Sequence, residues 1–257
     1  LSLKGIFMRC KIWSPLLLVF LAQACGESTA SSDLDIVAGR ADQTWGSSVV
    51  LVSDTALGSC TGTVLTSRHV LTAAHCVQGG TGKPYVNIYG PGQALPQKKS
   101  FAVVTFDVPT GIDATRLDFQ ADDQRFADLA VLTLAEPLPG SIKSLPLASS
   151  YPGRGATLLA VGTGEHDKTL NAGAEMRSRS ARTFSTSDAS GAIVMGGSYT
   201  NKGDSGGPIL VRGTDGRWQQ LGILNGTVEY QGNILDRYSS VHEERNRLWI
   251  QRIINPR

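Results

Sequence analysis

Three short stretches carry side chains suited to sharing a proton: LTAAHC (71–76), DLAVLTL (128–134) and GDSGGP (203–208). They supply His75, Asp128 and Ser205, in that chain order. A serine hydroxyl holds its proton too tightly to attack a carbonyl at neutral pH. A neutral imidazole takes that proton during attack and returns it to the leaving group. A buried carboxylate fixes the imidazole tautomer and supports the cation that forms. The attacked carbonyl oxygen gains negative charge, and one preset donor aimed at it is worth about 100- to 1000-fold in turnover. Gly203, Gly206 and Gly207 surround the Asp204–Ser205 pair, more glycine than a plain turn requires. Such a loop lets the backbone N–H groups of Gly203 and Ser205 come close to that oxygen. Each stretch alone is a weak signal, because a histidine beside alanines, an aspartate before a strand and a glycine-rich turn are all common. Their conjunction points to covalent serine catalysis. His69, His166 and His242 lack such company and read as surface or core residues.

The elements that must carry these residues are short. Apolar runs at 49–52, 102–106, 129–134, 157–161, 209–211 and 221–224 are rich in Val, Leu and Ile and bounded by Gly, Pro, Asp or Ser. That is a strand pattern repeated along the chain, with turn-rich connections supplied by 29 glycines and 11 prolines. Many short strands predict an all-β body, a barrel or a sandwich. No helix-length periodicity appears between Ile36 and Arg237. Beyond it, Ser240 and Glu243 fit a capping box. Val241, Leu248, Trp249 and Ile253 fall near one helical face, flanked by Ile250 and Ile254. The pattern predicts one amphipathic helix over 241–254, lying on the β body.

Composition excludes several function classes. With 41% hydrophobic and 18% charged residues, the chain is neither disordered nor fibrous. The formal charge of +2 comes without a clustered basic face, so nucleic-acid binding is not expected. No H-E-x-x-H or cysteine cluster is present, so no metal or other cofactor is expected.

The first 25 residues read separately. Arg9 and Lys11 precede an apolar run over 12–24, which ends in Ala22-Gln23-Ala24 before Cys25. A basic start, a short apolar core and small residues make a secretory signal, so the protein is expected to be exported. The run is too short to read as a membrane span; the alternative is an N-terminal anchor that is retained. Leu21 to Cys25 also resembles a bacterial lipoprotein cleavage box, with Ala22 where leucine is usual. Two outcomes therefore stay open: simple secretion, or a lipid at Cys25 as the one link to a membrane. Residues 26–35 are small, polar and acidic and read as a linker or propeptide. Export permits a disulfide between Cys60 and Cys76, against the alternative of two buried thiols.

With these stretches in view, the chain from Ile36 to its end resembles the trypsin/chymotrypsin family of serine endopeptidases. LTAAHC is similar to the family's histidine box, DLAVLTL to its aspartate strand, and GDSGGP is its serine box unchanged. Cys60 and Cys76 match the family's histidine-loop disulfide spacing. LLAVGTGE (158–165) resembles the stretch often written TVTGWG, with Thr163 in place of tryptophan, and DRYSSV leading to LWIQRII resembles the C-terminal strand and helix. The resemblance implies two six-stranded antiparallel β-barrels with a C-terminal helix. His75 and Asp128 would come from the first barrel and Ser205 from the second, meeting in the cleft between. It implies a monomer that hydrolyses polypeptides through an acyl-enzyme.

Further roles come only from the resemblance. Ile36-Val37-Ala38-Gly39 resembles the family's mature amino terminus, whose freed ammonium would insert beside Asp204. The residue before that cut is Asp35, not the usual Arg or Lys, so a different activating protease or an uncut form with another internal support stays open. Tyr199 takes the pocket-floor position, where trypsins carry aspartate. Asn225, Gly226 and Thr227 replace the wall sequence Ser-Trp-Gly. Asn225 also begins a glycosylation sequon, for which a pocket wall or turn is the preferred reading. Asp236 lies two residues before Tyr238, where some relatives place a pocket-lining charge that would attract Arg or Lys. A one-residue slip would present Arg237 instead, favour acidic residues and suit self-cutting after Asp35; the alternative is that both are exposed loop charges. The usual second-barrel cysteines are absent. The rival reading is a protease fold kept for binding without turnover, whose usual mark, a lost triad residue, is missing here. An esterase reading fits less well, since its G-x-S-x-G elbow differs in setting and chain order.

Overall fold

The computed structural model describes residues 39–80, 82–110, 128–153, 155–165, 175–185, 192–195, 199–230 and 232–256. All belong to a compact unit that runs from Asp33 to Arg257. Residues 1–25, read above as a signal and ending in Cys25, residues 26–35, read as a linker or propeptide, Ile36 and His166 lie outside the described residues.

The first body begins after the two-residue strand β1 (Arg40–Ala41). Its strands are β2 (Val49–Asp54), β3 (Gly58–Val64), β4 (His69–Thr72), β5 (Tyr85–Ile88), β6 (Ser100–Asp107) and β7 (Ala130–Leu134). They close into an antiparallel barrel in the order β2-β3-β4-β7-β6-β5. The β2–β3 hairpin is tied by Asp54, whose Oδ1 accepts from the amides of Ala56 (2.7 Å) and Leu57 (3.1 Å). That is the side-chain turn expected of an aspartate at such a position. Strand β2 reads as an unbroken apolar run, VVLV, because both of its faces are buried. Val50 and Val52 belong to the barrel core with Val70, Val86 and Phe101. Val49 and Leu51 belong to a second cluster with Val161, Met176 and Leu210. The period-2 alternation of a strand sends neighbours to opposite faces, so this one strand joins two cores.

The second body contains β8 (Thr157–Gly162), β9 (Arg177–Ser185), β10 (Ala192–Met195), β11 (Pro208–Arg212), β12 (Trp218–Tyr230) and β13 (Asn233–Ser240). With β1 they form a seven-stranded sheet in the order β1-β9-β10-β13-β12-β11-β8, with an additional β8–β9 pairing. The expectation of two six-stranded barrels is corrected in part: the first sheet is a closed six-stranded barrel, while the second is a seven-stranded sheet that takes in β1. The extra strand is accommodated at β9, which pairs with β8 from Arg177 to Arg182, with β1 at Arg177 and Ser178, and with β10 at Thr183 and Ser185 across a register shift. The core of this body comprises Leu158, Ile209, Leu221, Leu224 and Tyr238.

The helix α1 (Glu244–Ile254) starts three residues later than the sequence suggests. Strand β13 runs through Ser240, and helical bonding begins only at Arg247 N–H to Glu243 O (2.9 Å). The Ser240 hydroxyl does accept from the Glu243 amide, at 3.3 Å. The buried face centres on Asn246 and Ile250, and Leu248 is 39% exposed rather than inward. No helix among the described residues is long and apolar enough to cross a membrane.

Candidate active site

Strands β4 and β7 are antiparallel neighbours in the barrel, with Leu71 opposite Val131 and Thr72 opposite Ala130. The residues just after β4 therefore meet those just before β7. Buried Ala73 and Ala74 let the chain leave β4 in a tight 3₁₀ turn, Ala74–Cys76, that carries His75. The disulfide between Cys76 and Cys60 fastens this turn to β3. The result is a two-point contact. His75 Nδ1 donates to Asp128 Oδ2 at 2.7 Å, and the His75 amide donates to Oδ1 at 3.0 Å. Asp128 is 1% exposed, whereas the imidazole is 22% exposed. The carboxylate holds the neutral ring's proton on Nδ1, which leaves Nε2 as an acceptor. Burial pushes the imidazole pKa down, but the hydrogen bond and charge of Asp128 together outweigh it, so His75 titrates above its ordinary 6.5.

Ser205 and His75 line one cleft of about 590 Å³, together with Leu57, Cys60, Glu165, Lys202 and Gly203. Among the described residues the hydrogen bonds of His75 run to Asp128, and none joins its ring to the Ser205 hydroxyl. The serine loop itself is closely specified. Gly203 and Gly206 adopt φ of +92° and +80°, which favour glycine. A Cβ on Gly206 would also lie 2.1 Å from Thr72 Oγ1 and 2.3 Å from Thr61 O. Each carbonyl from Lys202 to Ser205 has a donor. Lys202 O accepts from Glu165 N–H (2.8 Å), Asp204 O from Gly207 N–H (2.8 Å) and Ser205 O from Thr61 N–H (2.8 Å). Gly203 O accepts from the Thr61 hydroxyl at 2.9 Å. In a trans peptide the N–H points opposite to the preceding C=O. Two of the four opposing N–H groups are used, Asp204 to Asn201 O (3.1 Å) and Gly206 to Leu224 O (2.8 Å). The other two, those of Gly203 and Ser205, donate to no acceptor among the described residues. Both residues line the cleft. Two amides without a partner, one on each side of Asp204, suit an anionic oxygen in the cleft.

Asp204, next to the serine, is 1% exposed. Its Oδ1 accepts from Gly164 N–H (2.8 Å) and its Oδ2 from Asn201 N–H (2.9 Å). It is a buried structural carboxylate, not a solvated turn residue.

The residues assigned to a specificity pocket gather around β13. Tyr199 donates its amide to Asp236 Oδ2 at 2.8 Å, the Thr200 hydroxyl donates to Oδ1 at 2.6 Å, and the Arg179 guanidinium lies 4.0 Å from the centre of the Tyr199 ring. Thr227 pairs with Asp236 across the β12–β13 ladder. Asn225 is buried at a bulge in that ladder and its amide donates to the Ser239 hydroxyl at 3.0 Å, which closes its sequon to a glycan in the folded chain. Asp236 and Arg237 are buried strand residues, so the alternative of two exposed loop charges is overturned. Burial raises the Asp236 carboxyl, and the bonds from Thr200 and Tyr199 with the charge of Arg179 offset it only in part, so it titrates at about 6.

Cys60, His75 and Cys76 offer ligand atoms within 4.8 Å of one another, but both sulfurs are spent in the disulfide. Two residues of the site were not singled out for a role in the sequence. Thr61 and Thr163 are buried, with their hydroxyls 2.9 Å apart, directly beneath the serine loop. Thr163 drew attention only as a departure at a tryptophan position, and nothing in its neighbourhood of the sequence named Thr61 as partner.

Comparison with known proteins gives a consistent picture. A family model described as Trypsin matches residues 36–249. Serine protease 7 of Drosophila melanogaster is 29% identical over 203 residues, which cover 65% of this chain and 50% of that protein. The chain thus spans about half the length of this curated relative. Among solved structures, neuropsin, a serine protease expressed in the limbic system of mouse brain, superposes with a TM-score of 0.64 at 20% identity, covering 85% of this chain and 99% of its own. A Glu endopeptidase in complex with MPD gives a TM-score of 0.65 at 17% identity, covering 84% and 94%. At these identities the two structures speak for a shared fold.

Proposed function

The chain belongs to the trypsin family of serine proteases, and from that premise we propose that it is an exported serine endopeptidase working through a triad of Ser205, His75 and Asp128. The observation that carries the reading is the pair of unpartnered amides, Gly203 and Ser205, in the same cleft as an imidazole already bound to a buried carboxylate. His75 Nε2 takes the Ser205 proton as the hydroxyl attacks the scissile carbonyl. The two amides receive the oxyanion, and His75 gives the proton to the departing amine. Water repeats the sequence on the acyl-enzyme.

Around this centre, Tyr199, Asn225, Thr227 and Asp236 form the pocket for the residue before the cut. Cutting before Ile36 brings its ammonium to the buried Asp204, where an ion pair adds to the two amides already holding that carboxylate. If Cys25 carries a lipid, the same cut frees the domain from the membrane.

The test is digestion of a peptide library by the secreted chain and by Ser205→Ala. Loss of the nucleophile should lower kcat by about 10⁶-fold, to background. A wild type that forms no acyl-enzyme, or a Ser205→Ala variant that cleaves equally well, would favour the rival, a protease fold kept for binding.

A further inference from the structure

We propose that Thr61, a buried residue of the first barrel, positions the oxyanion-binding loop of the second body, with Thr163 completing the bond that lets it do so. The inference rests on the protease reading above and deepens it.

Thr61 is fully buried, and every polar atom it owns is engaged. Its hydroxyl donates to Gly203 O at 2.9 Å. A hydroxyl has one proton, so the second bond between Thr61 Oγ1 and Thr163 Oγ1, at 2.9 Å, must run from Thr163 to Thr61. The Thr163 amide donates to the same oxygen at 3.0 Å. One donated and two accepted bonds fill the oxygen's capacity. The backbone of Thr61 is equally committed. Its N–H donates to Ser205 O at 2.8 Å, and its C=O accepts from the Thr72 hydroxyl at 2.8 Å.

Thr61 therefore grips the carbonyls on both sides of Asp204–Ser205, Gly203 O through its side chain and Ser205 O through its backbone. Gly203 O is the one carbonyl between Lys202 and Ser205 whose donor is a side chain. Without that bond, the Gly203–Asp204 peptide keeps only the Asp204 N–H bond to Asn201 O at 3.1 Å, and Gly203, at φ +92°, has no side chain to restrain it. Rotation of that peptide would shift the Gly203 and Ser205 amides on either side of it. The residue touches neither substrate nor nucleophile hydroxyl; it acts through the loop. Its loss should therefore appear where the oxyanion forms, in kcat, and not in KM.

The experiment compares wild type, Thr61→Val, Thr61→Ser and Thr163→Val on a peptide amide that wild type cleaves, with a peptide boronic acid as the probe of tetrahedral-state binding. Thr61→Val keeps the shape and removes the hydroxyl. Its kcat should fall about tenfold or more, part of the 100- to 1000-fold that losing a whole oxyanion donor costs. KM should stay within about twofold, and boronic acid affinity should fall with kcat/KM. Thr61→Ser restores the donor and should recover kcat to within about threefold of wild type. Thr61→Val with unchanged kcat overturns the proposal, as does a serine variant no better than the valine one. Should Thr61→Val not fold, Thr163→Val decides: kcat lowered severalfold at unchanged KM supports the proposal, and unchanged kcat overturns it. A wild type without Ser205-dependent turnover would sink the protease reading and this inference together. A working wild type with an unimpaired valine variant would sink this inference alone.

Discussion

His75 stands between two opposing influences, and the balance has a pH signature. Burial favours the neutral ring, while the Asp128 hydrogen bond and charge favour the cation and win, so the ring titrates above 6.5. A general base must be neutral, so kcat/KM should rise with pH through one ionisation above 6.5 and then level off. The folding consequence has the opposite sign. A raised folded-state pKa stabilises the fold fully below 6.5, and that contribution is lost as pH rises through the folded value. Acid therefore favours this contact while alkali favours turnover. Asp128→Asn separates the effects. It removes the charge and offers Nδ1 a donor in place of an acceptor, which turns the proton toward Nε2. Turnover should fall about 10⁴-fold. The remaining ionisation should drop below 6.5, because only burial is left to move it. A pH–rate profile of the variant checks this, and a midpoint still above 6.5 would refute the assignment of the rise to Asp128. At this scale the sequence was informative where chemistry demands particular residue types. His75, Asp128 and Ser205 could be named because few side chains do their work. Thr61 and Thr163 could not, because threonine is common and their partnership spans 102 positions that only the fold brings together.

Among the elements, β13 carries the least conventional feature, a fully buried Asp236 that titrates at about 6. The unfolded chain loses this proton near 3.8, while the native chain keeps it to about 6. Between those values the native state binds the extra proton, so stability falls as pH rises, by roughly 3 kcal/mol in all. Asp236→Asn has the shape of the protonated acid and no charge. Its Oδ1 can accept from the backbone amides and its Nδ2 can donate to a rotated Thr200 hydroxyl. The variant should match wild type near pH 4 and exceed it by on the order of 2 kcal/mol at pH 7, with little slope between. Urea unfolding at several pH values measures this, and an unaltered slope would show that another group is responsible. The elements also mark what patterning reveals. Strands β2, β6, β7, β8 and β11 are apolar runs, and each was read from its composition. Strand β3 is GSCTGTV and β9 is RSRSARTFS, whose backbone pairing no hydrophobic count registers. The helix was found but its start was misplaced, because a capping box cannot say that the preceding strand still owns Ser240.

At the scale of the molecule, the proposed triad is divided: His75 and Asp128 hang from the closed barrel, Ser205 from the seven-stranded sheet. Short strands predict a β body, but that β1 joins β9 alongside β10 depends on pairings that local sequence does not set. What keeps the parts in register is a shared core. Val49, Leu51 and Tyr89 of the barrel pack in one cluster with Val161, Met176 and Leu210 of the second body. Trp45 and Trp218 meet edge to face at 5.8 Å within the same region. The barrel core likewise includes Ile223 and Ile250 from the other side. With so much apolar surface held in common, neither body should persist alone, and the chain should unfold as one cooperative unit. Leu210→Ala tests this from the second body. Leu210 is fully buried, so its truncation should cost about 2–5 kcal/mol. In urea, far-UV circular dichroism, tryptophan fluorescence and the fraction of Ser205 open to a covalent titrant should all shift to the same lower midpoint. Separation of those midpoints, with the barrel signal surviving the loss of titratable serine, would mean that the two bodies fold independently and that the shared cluster does not hold the site together.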